Sequence, residues 1–249
     1  MPQTQTKGEH QNLARVAQVL DAIAAAAPMG LRQKDIADAT GLSPAVVNRL
    51  CQGMQQYGMA DFDVSNGRYL IAADMLRWTA SALNRYGLWG FADGPLQQLV
   101  EITGDTIYFA MLTGSQSICV DRREGAFPIK TLTVNVGDKR PLGIGAASLA
   151  ILSFQDQAFI EAELNDSAAQ AQRQVFELQT EELRKLIVQT QKNGYSRIEG
   201  TLVPGMTGVA VPIRNAKGRA IASIAVTGLN ERLSAERGKM VVNALCDAV

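Results

Sequence analysis

Read for polarity alone, the chain changes rhythm partway along. Up to about residue 104, apolar residues recur three or four positions apart; beyond it, several stretches alternate at every second position. The first rhythm predicts amphipathic helices and the second predicts strands. Leu13, Val16, Val19, Leu20 and Ile23 share one helical face, and Pro28-Met29-Gly30 stops that helix. Residues 34–58 then read as a short helix, a tight turn at Gly41-Leu42-Ser43, and a second helix. Ser43 is placed as its N-cap and Pro44 at the first helical position, where a missing N–H costs nothing. Ile36, Ala37, Leu42, Val47, Leu50 and Met54 turn toward one core, which leaves Pro44, Ala45, Asn48, Arg49 and Gln52 facing outward. A helix–turn–helix with a polar outer face on its second helix suits a DNA major groove. Two short strands follow, 59–62 and 68–71, joined across the hairpin signal Asn66-Gly67. That hairpin is the wing of a winged helix–turn–helix, with Asn66 and Arg68 as its DNA-facing candidates and Arg68 at its tip toward a phosphate or minor groove.

Helical spacing returns over residues 73–86 and 91–102. The alternating part predicts strands at 106–112, 117–121, 129–136, 195–199, 208–214 and 219–227. Helices are expected at 146–154, 180–193 (headed by Thr180) and from Ser234 onward, with Met240, Val241, Ala244 and Leu245 on its apolar face. Hairpin turns between strands, with helices interleaved, predict an antiparallel sheet covered by helices, an α+β domain. The expected division is a winged helix–turn–helix over 1–73, a linker helix over 74–90 and an effector domain over 91–249.

Composition narrows what the second part does. A length of 249 residues and 47% hydrophobic content suit two cores. The formal net charge is zero, and the first 73 residues balance as well, so nothing in the total charge draws the chain to nucleic acid. Three scattered cysteines, Cys51, Cys119 and Cys246, fit reduced thiols in a cytoplasmic protein. No apolar run is long enough for a membrane span. The only histidine, His10, lies in a polar leading arm, so no Ser–His–Asp or Cys–His set has a base. No zinc spacing and no phosphate loop occur, so no metal or cofactor is expected. A small-acid-binding enzyme and a protein–protein adaptor with a silent winged helix remain as alternatives.

The order of parts, from LARVAQVLDAIAAAAPMGLRQKDIADATGLSPAVVNRLCQGMQQYGMADFDVSNGRYLIAADMLRWT through RPLGIGAASLAIL and GYSRIEG to GVAVPIRNAKGRAIASIAVTG, resembles the IclR family of bacterial transcriptional regulators. The resemblance covers nearly all residues beyond the first dozen. It implies an N-terminal winged helix–turn–helix, a linker helix and a C-terminal GAF-like effector domain. It also implies dimers or dimers of dimers, double-stranded operator DNA as partner, and small organic effectors, often carboxylates. Ala45-Val46-Val47-Asn48-Arg49 departs from the polar pair and His that many members carry before this Arg. Ala147-Ser148 stands where many have Gly-Lys.

Among DNA-facing candidates, Arg49 suits a guanine edge or phosphate and Asn48 an adenine edge. Ser43 caps, or offers the helix amino end to a phosphate. A solvated helix face is the plain alternative for Arg49 and Asn48. From the family position, the effector pocket is expected between Leu142, Gly143, Gly145, Ala146 and Ala147 and the strands at Glu199, Met206, Gly208, Ser223 and Ala225. The loop N–H groups there can hold a carboxylate without a basic side chain, and Ser223 can add a hydroxyl. With few fixed charges expected in its walls, the ligand expected is a small organic or aromatic acid. Glu199 would disfavour an anion unless it faces away. Cys119 is expected in the core.

Overall fold

The computed structural model describes residues 10–85, 93–130 and 132–249. The polar arm before His10 and the tryptophan Trp89 lie outside that set. The chain divides into two compact units, Met1–Trp89 and Gly90–Val249.

In the first unit, α1 (Gln11–Ala25), α2 (Gln33–Thr40) and α3 (Pro44–Gln56) close around Val19, Ile23, Ile36, Val47, Cys51 and Met54. The buried stripe on α3 runs 47, 51, 54, which is the i, i+4, i+7 face. Cys51 therefore takes the buried place expected for Leu50, and Leu42 and Leu50 lie half-buried at the margin. Gly41 ends α2 in the left-handed region, at φ +67°. The hairpin β1 (Ala60–Asp63) and β2 (Arg68–Ile71) pairs in antiparallel register, with Asp63 opposite Arg68. Leu31 adds a bridge outside β2, exchanging both backbone bonds with Tyr69. Gly30 makes that approach possible: a Cβ there would sit 2.3 Å from the Tyr69 carbonyl oxygen. A 3-10 turn, Ala73–Met75, leads into α4 (Leu76–Arg85).

The second unit begins with α5 (Asp93–Thr103), β3 (Thr106–Thr113), β4 (Gln116–Glu124) and β5 (Lys139–Pro141). Four helices follow: α6 (Ala146–Ser153), α7 (Gln157–Asn165), α8 (Ser167–Gln174) and α9 (Thr180–Asn193). It ends with β6 (Ser196–Glu199), β7 (Met206–Arg214), β8 (Ala220–Leu229) and α10 (Ala235–Asp247). The strands form one antiparallel sheet in the order β5-β4-β3-β8-β7-β6. This is the α+β, antiparallel-sheet architecture that the alternation predicts.

Small residues on one sheet face let α6 lie close. Ala210 and Ala225 pack with Ala146 and Ala150. Strand alternation turns Ile107, Phe109, Ile224 and Val226 to the opposite face, on the side where α5 and α10 contact β3, β7 and β8. Ser196 Oγ donates to the Ala146 carbonyl at 2.7 Å and Ser223 Oγ to the Ala147 carbonyl at 3.0 Å, fastening the first turn of α6 to the sheet.

The structure departs from the sequence reading in further places. No strand forms over the described residues of 129–136. Ile129, Leu132 and Val136 are exposed and fall out of step with a period of two, and the sheet edge is instead β5. Thr180 is the first helical residue of α9, and Gln179 occupies the cap position. Ser43 has the backbone of an N-cap, but its side chain makes no capping bond. Met240, expected on the apolar face of α10, is 37% exposed.

Candidate functional site

The first candidate is the outer face of α3. Ser43, Pro44, Ala45, Arg49 and Gln52 are exposed and Asn48 is half-buried, so these side chains share one accessible surface. Its pitch is fixed at the base: Gln33 Nε2 donates to the Pro44 carbonyl at 3.1 Å, tying the start of α2 to the start of α3. Because Ser43 leaves the first-turn N–H groups uncapped by its hydroxyl, the positive end of α3 stays open on the same face.

The wing is less available than its sequence suggests. Arg68 Nη1 donates to the Gly30 carbonyl at 2.8 Å, so the guanidinium is anchored to the body of the unit. Asp63 organises the turn: its carboxylate accepts from the Ser65 N–H at 2.8 Å, the Ser65 hydroxyl at 2.6 Å and Asn66 Nδ2 at 2.6 Å. These bonds, the Ser65 hydroxyl foremost, hold the Asp63 carboxyl below its usual range. Asn66 Oδ1 in turn accepts from the Arg68 N–H. Arg68 and Asn66, both expected to reach DNA, are thus engaged within the unit.

The second candidate is a cavity of about 60 Å³ in the second unit, between the amino end of α6, the strands β3, β4 and β8, and the loop before β5. Of the residues expected there, Gly145, Ala146, Ala147 and Ala225 line it. Met206 and Gly208 line an adjoining cleft of about 50 Å³. Gly208 is there for packing: a Cβ would meet Ala146 Cβ at 3.1 Å, so glycine lets α6 sit low on the sheet.

Four expected residues lie elsewhere. Leu142 is fully buried in the core. Gly143 faces Leu183, whose Cδ1 would lie 2.7 Å from a Cβ at that position. The Ser223 hydroxyl is spent on the Ala147 carbonyl rather than on a ligand. Glu199 is exposed and pairs with Arg197, which also donates to the Leu233 carbonyl.

Sequence reasoning missed the polar wall opposite α6. Arg140, the middle residue of β5, lines the cavity and spends one donor on the Thr133 carbonyl. Its guanidinium carries five N–H groups, and it stacks 5.7 Å from the Phe176 ring. Burial lowers its pKa, opposed by the nearby Asp138 carboxylate. Arginine nonetheless stays cationic. Tyr108, Cys119, Thr133 and the carboxylate of Asp138 also line this wall, and Asp138 accepts from the Asn135 N–H at 2.7 Å. Burial pushes the Tyr108 phenol up and the Cys119 thiol up to about 11, so both are neutral at physiological pH. The floor of the cavity is alanine. The site therefore sets a cation, its neighbouring Asp138 carboxylate and the N–H groups of the first α6 turn around a small, largely apolar space; the guanidinium and the helix N–H groups together can receive a carboxylate. A signal was present in Lys139-Arg140-Pro141, a basic pair entering a loop, but only the β4–β5 pairing brings it to α6.

Among the described residues, no group of three or more His, Cys, Asp or Glu side chains is arranged to hold a metal ion. Among them, too, no helix is long and apolar enough to cross a membrane.

A winged helix–turn–helix joined in one chain to an α+β domain with a small-molecule-sized cavity defines a class of DNA-binding transcriptional regulators. The chain belongs to the IclR family: the IclR helix–turn–helix domain matches residues 12–63 and the C-terminal domain of IclR bacterial transcriptional regulators matches residues 80–249. The HTH-type transcriptional regulator BhcR of Paracoccus denitrificans is 27% identical over 250 residues, covering 95% of this chain and 82% of that protein. The transcriptional regulator XynR of Escherichia coli is 26% identical, covering 90% and 88%. Among solved structures, an IclR homologue from Microbacterium hydrocarbonoxydans complexed with 4-hydroxybenzoate superposes with a TM-score of 0.76 at 19% identity, covering 95% of each chain. An IclR regulator from Alicyclobacillus acidocaldarius superposes at 0.73 and 20%, again covering 95% of each. Both likenesses concern the fold.

Proposed function

We propose that this regulator responds to a small organic acid held in the α6 cavity and controls a catabolic operon as a repressor or dual regulator. In this reading residues 1–73 form the DNA-binding head, 74–90 the connector and 91–249 the sensor, and the active species is a homodimer or a dimer of dimers on double-stranded operator DNA. The observation that carries it is the pairing of Arg140 with the amino end of α6 across one cavity. The relatives' names lend support, since one is an acetate operon repressor from Salmonella typhimurium and a structural neighbour holds 4-hydroxybenzoate. Ligand can change operator affinity only as far as it binds the DNA-competent and DNA-incompetent arrangements unequally.

The test is a fluorescence-anisotropy titration of the full chain on its own upstream region, with and without a panel of small carboxylates, beside thermal shifts with the same acids. The reading expects one or more acids to raise the melting temperature and to change operator affinity. It expects Arg140→Gln to abolish both responses while operator affinity without acid stays unchanged. Acid responses that persist at full size in Arg140→Gln would remove Arg140 from the receptor.

A further inference from the structure

The α6 cavity and its neighbouring cleft are two chambers of one space. Both are lined by Thr133, Gly145, Ala146 and Thr227, and by one large side chain, Leu202. Leu202 stands at the junction: its Cδ1 would lie 3.1 Å from a Cβ on Gly145, and its side chain packs against the core that includes Ala110 and Ile144. The residue comes from the loop between β6 and β7, and both ends of that loop are glycines in the left-handed region, Gly200 at φ +70° and Gly205 at φ +81°. A Cβ on either would meet nothing within 4 Å, so the loop ends lie in open space. Backbone bonds still fix the loop: the Gly200 N–H donates to the Met206 carbonyl and the Asn230 N–H to the Gly205 carbonyl.

The two chambers differ in chemistry. The first holds Arg140 with its neighbour Asp138, Tyr108 and the amino end of α6. The second is walled by Ile198, Val203 and Met206, with no arginine or lysine among its lining residues. At about 60 Å³, the first chamber has room for roughly four to six water molecules. It suits a short carboxylate, and an aryl acid placed there would extend beyond it. A longer acid would keep its carboxylate by Arg140 and pass its apolar end into the second chamber, and Leu202 occupies that passage.

From this we infer that Leu202 is the size-determining residue of the effector site: it restricts the protein to short-chain acids, and its removal opens the site to aryl and longer alkyl acids. The inference rests on the carboxylate reading of the α6 cavity. Leu202 lies on a loop and is half-buried, so its truncation leaves the sheet and α6 intact.

The test uses the full chain as wild type, Leu202→Ala and Leu202→Phe, with acetate, propionate and pyruvate as short probes and benzoate and phenylacetate as aryl probes. Isothermal titration and thermal shift read affinity. The expected result is that wild type binds at least one short acid, and that Leu202→Ala gains about tenfold or more for an aryl acid relative to wild type, the change expected for one or two newly buried methylene-sized groups. Leu202→Phe is expected to leave short-acid binding within a few-fold and to exclude aryl acids. If wild type already binds benzoate or phenylacetate as tightly as Leu202→Ala does, the size inference is overturned and the acid-receptor reading stands. If no acid of either series binds any of the three proteins, the receptor reading itself fails and the size inference with it.

Discussion

Asp105 offers a sharp test of how the second unit is held together. Its side chain is 1% exposed, and it accepts from Arg232 Nε at 2.8 Å and Arg237 Nη2 at 2.9 Å. Both guanidiniums also donate to the Thr103 carbonyl. One carboxylate thus joins the end of α5 and the start of β3 to the segment after β8, through Arg232, and to the first turn of α10, through Arg237. Gly228 seals it, since a Cβ there would lie 3.0 Å from Asp105 Oδ1. The perturbation is Arg232→Met, Arg237→Met and the pair together. Methionine keeps an apolar stem and, at 232, a sulfur contact for Phe127, whose ring lies 3.7 Å from the guanidinium. A hydrogen bond to a charged group contributes ~1.5–3 kcal/mol, and partial exposure of both arginines reduces this to about 1–2 kcal/mol for each single variant. The double variant is different in kind, because it strands a buried carboxylate, which costs ~3–5 kcal/mol. Its loss should therefore exceed the sum of the singles, by about 1 kcal/mol at the midpoint of these ranges. Adding Asp105→Asn to the double variant should recover much of that excess. Urea denaturation of the full chain, followed by far-UV circular dichroism, measures all four. Strict additivity, or a triple variant weaker than the double, would refute the picture of a sealed, shared carboxylate.

Two further outcomes follow from the first unit. Arg49→Ala should weaken operator binding by ~1–3 kcal/mol if the guanidinium reads a base, or reduce the salt slope by about one if it sits on a phosphate; unchanged affinity at every salt concentration would take Arg49 off the DNA. Burial pushes the Cys51 thiol from its ordinary 9.0 up to about 11, so its contribution is complete below pH 9 and is lost as pH rises through 11. The full effect is on the order of 3 kcal/mol, and Cys51→Ala should flatten the fall in head-domain stability between those values, as read by pH-stepped thermal melts.

Much of the head was legible in the chain because its signals are local. Gly41, the Ser43-Pro44 start and Asn66-Gly67 each dictate backbone within a few residues, and the 3.6 period on α3 separates core from face. The wing's chemistry was not legible, because the partner of Arg68 is the carbonyl of Gly30, which is distant in sequence. In the second unit, strands with two buried faces kept their apolar runs, and the sheet could be anticipated. The pair α7 and α8 could not be read from periodicity. Both are short and α8 is polar, and the usable signal was Asp156 and Asp166, which cap them by accepting from Phe159 and Ala169. Nor could a strand be distinguished from a loop at 129–136, where composition favours a strand but exposure does not. The cavity wall was the largest omission. Arg140 belongs to the site only through its pairing across β4, and Ser223, an apparent ligand donor, is consumed by holding α6.

The loop that carries Leu202 has a consequence beyond ligand size. It projects from the β6–β7 hairpin, where β6 is the last strand of the sheet, and it starts and ends in glycines with free space around them. Changes in its length leave the strand register untouched, and the entropic cost of a longer loop grows only slowly. On the effector reading proposed above, ligand range would drift by substitution or insertion at one surface hairpin while the alanine floor, the α6 anchor and the sheet stay constant. In that reading the part that stabilises the second unit and the part that would choose its ligand are inherited separately, so a new metabolic input would be acquired without first passing through an unstable fold.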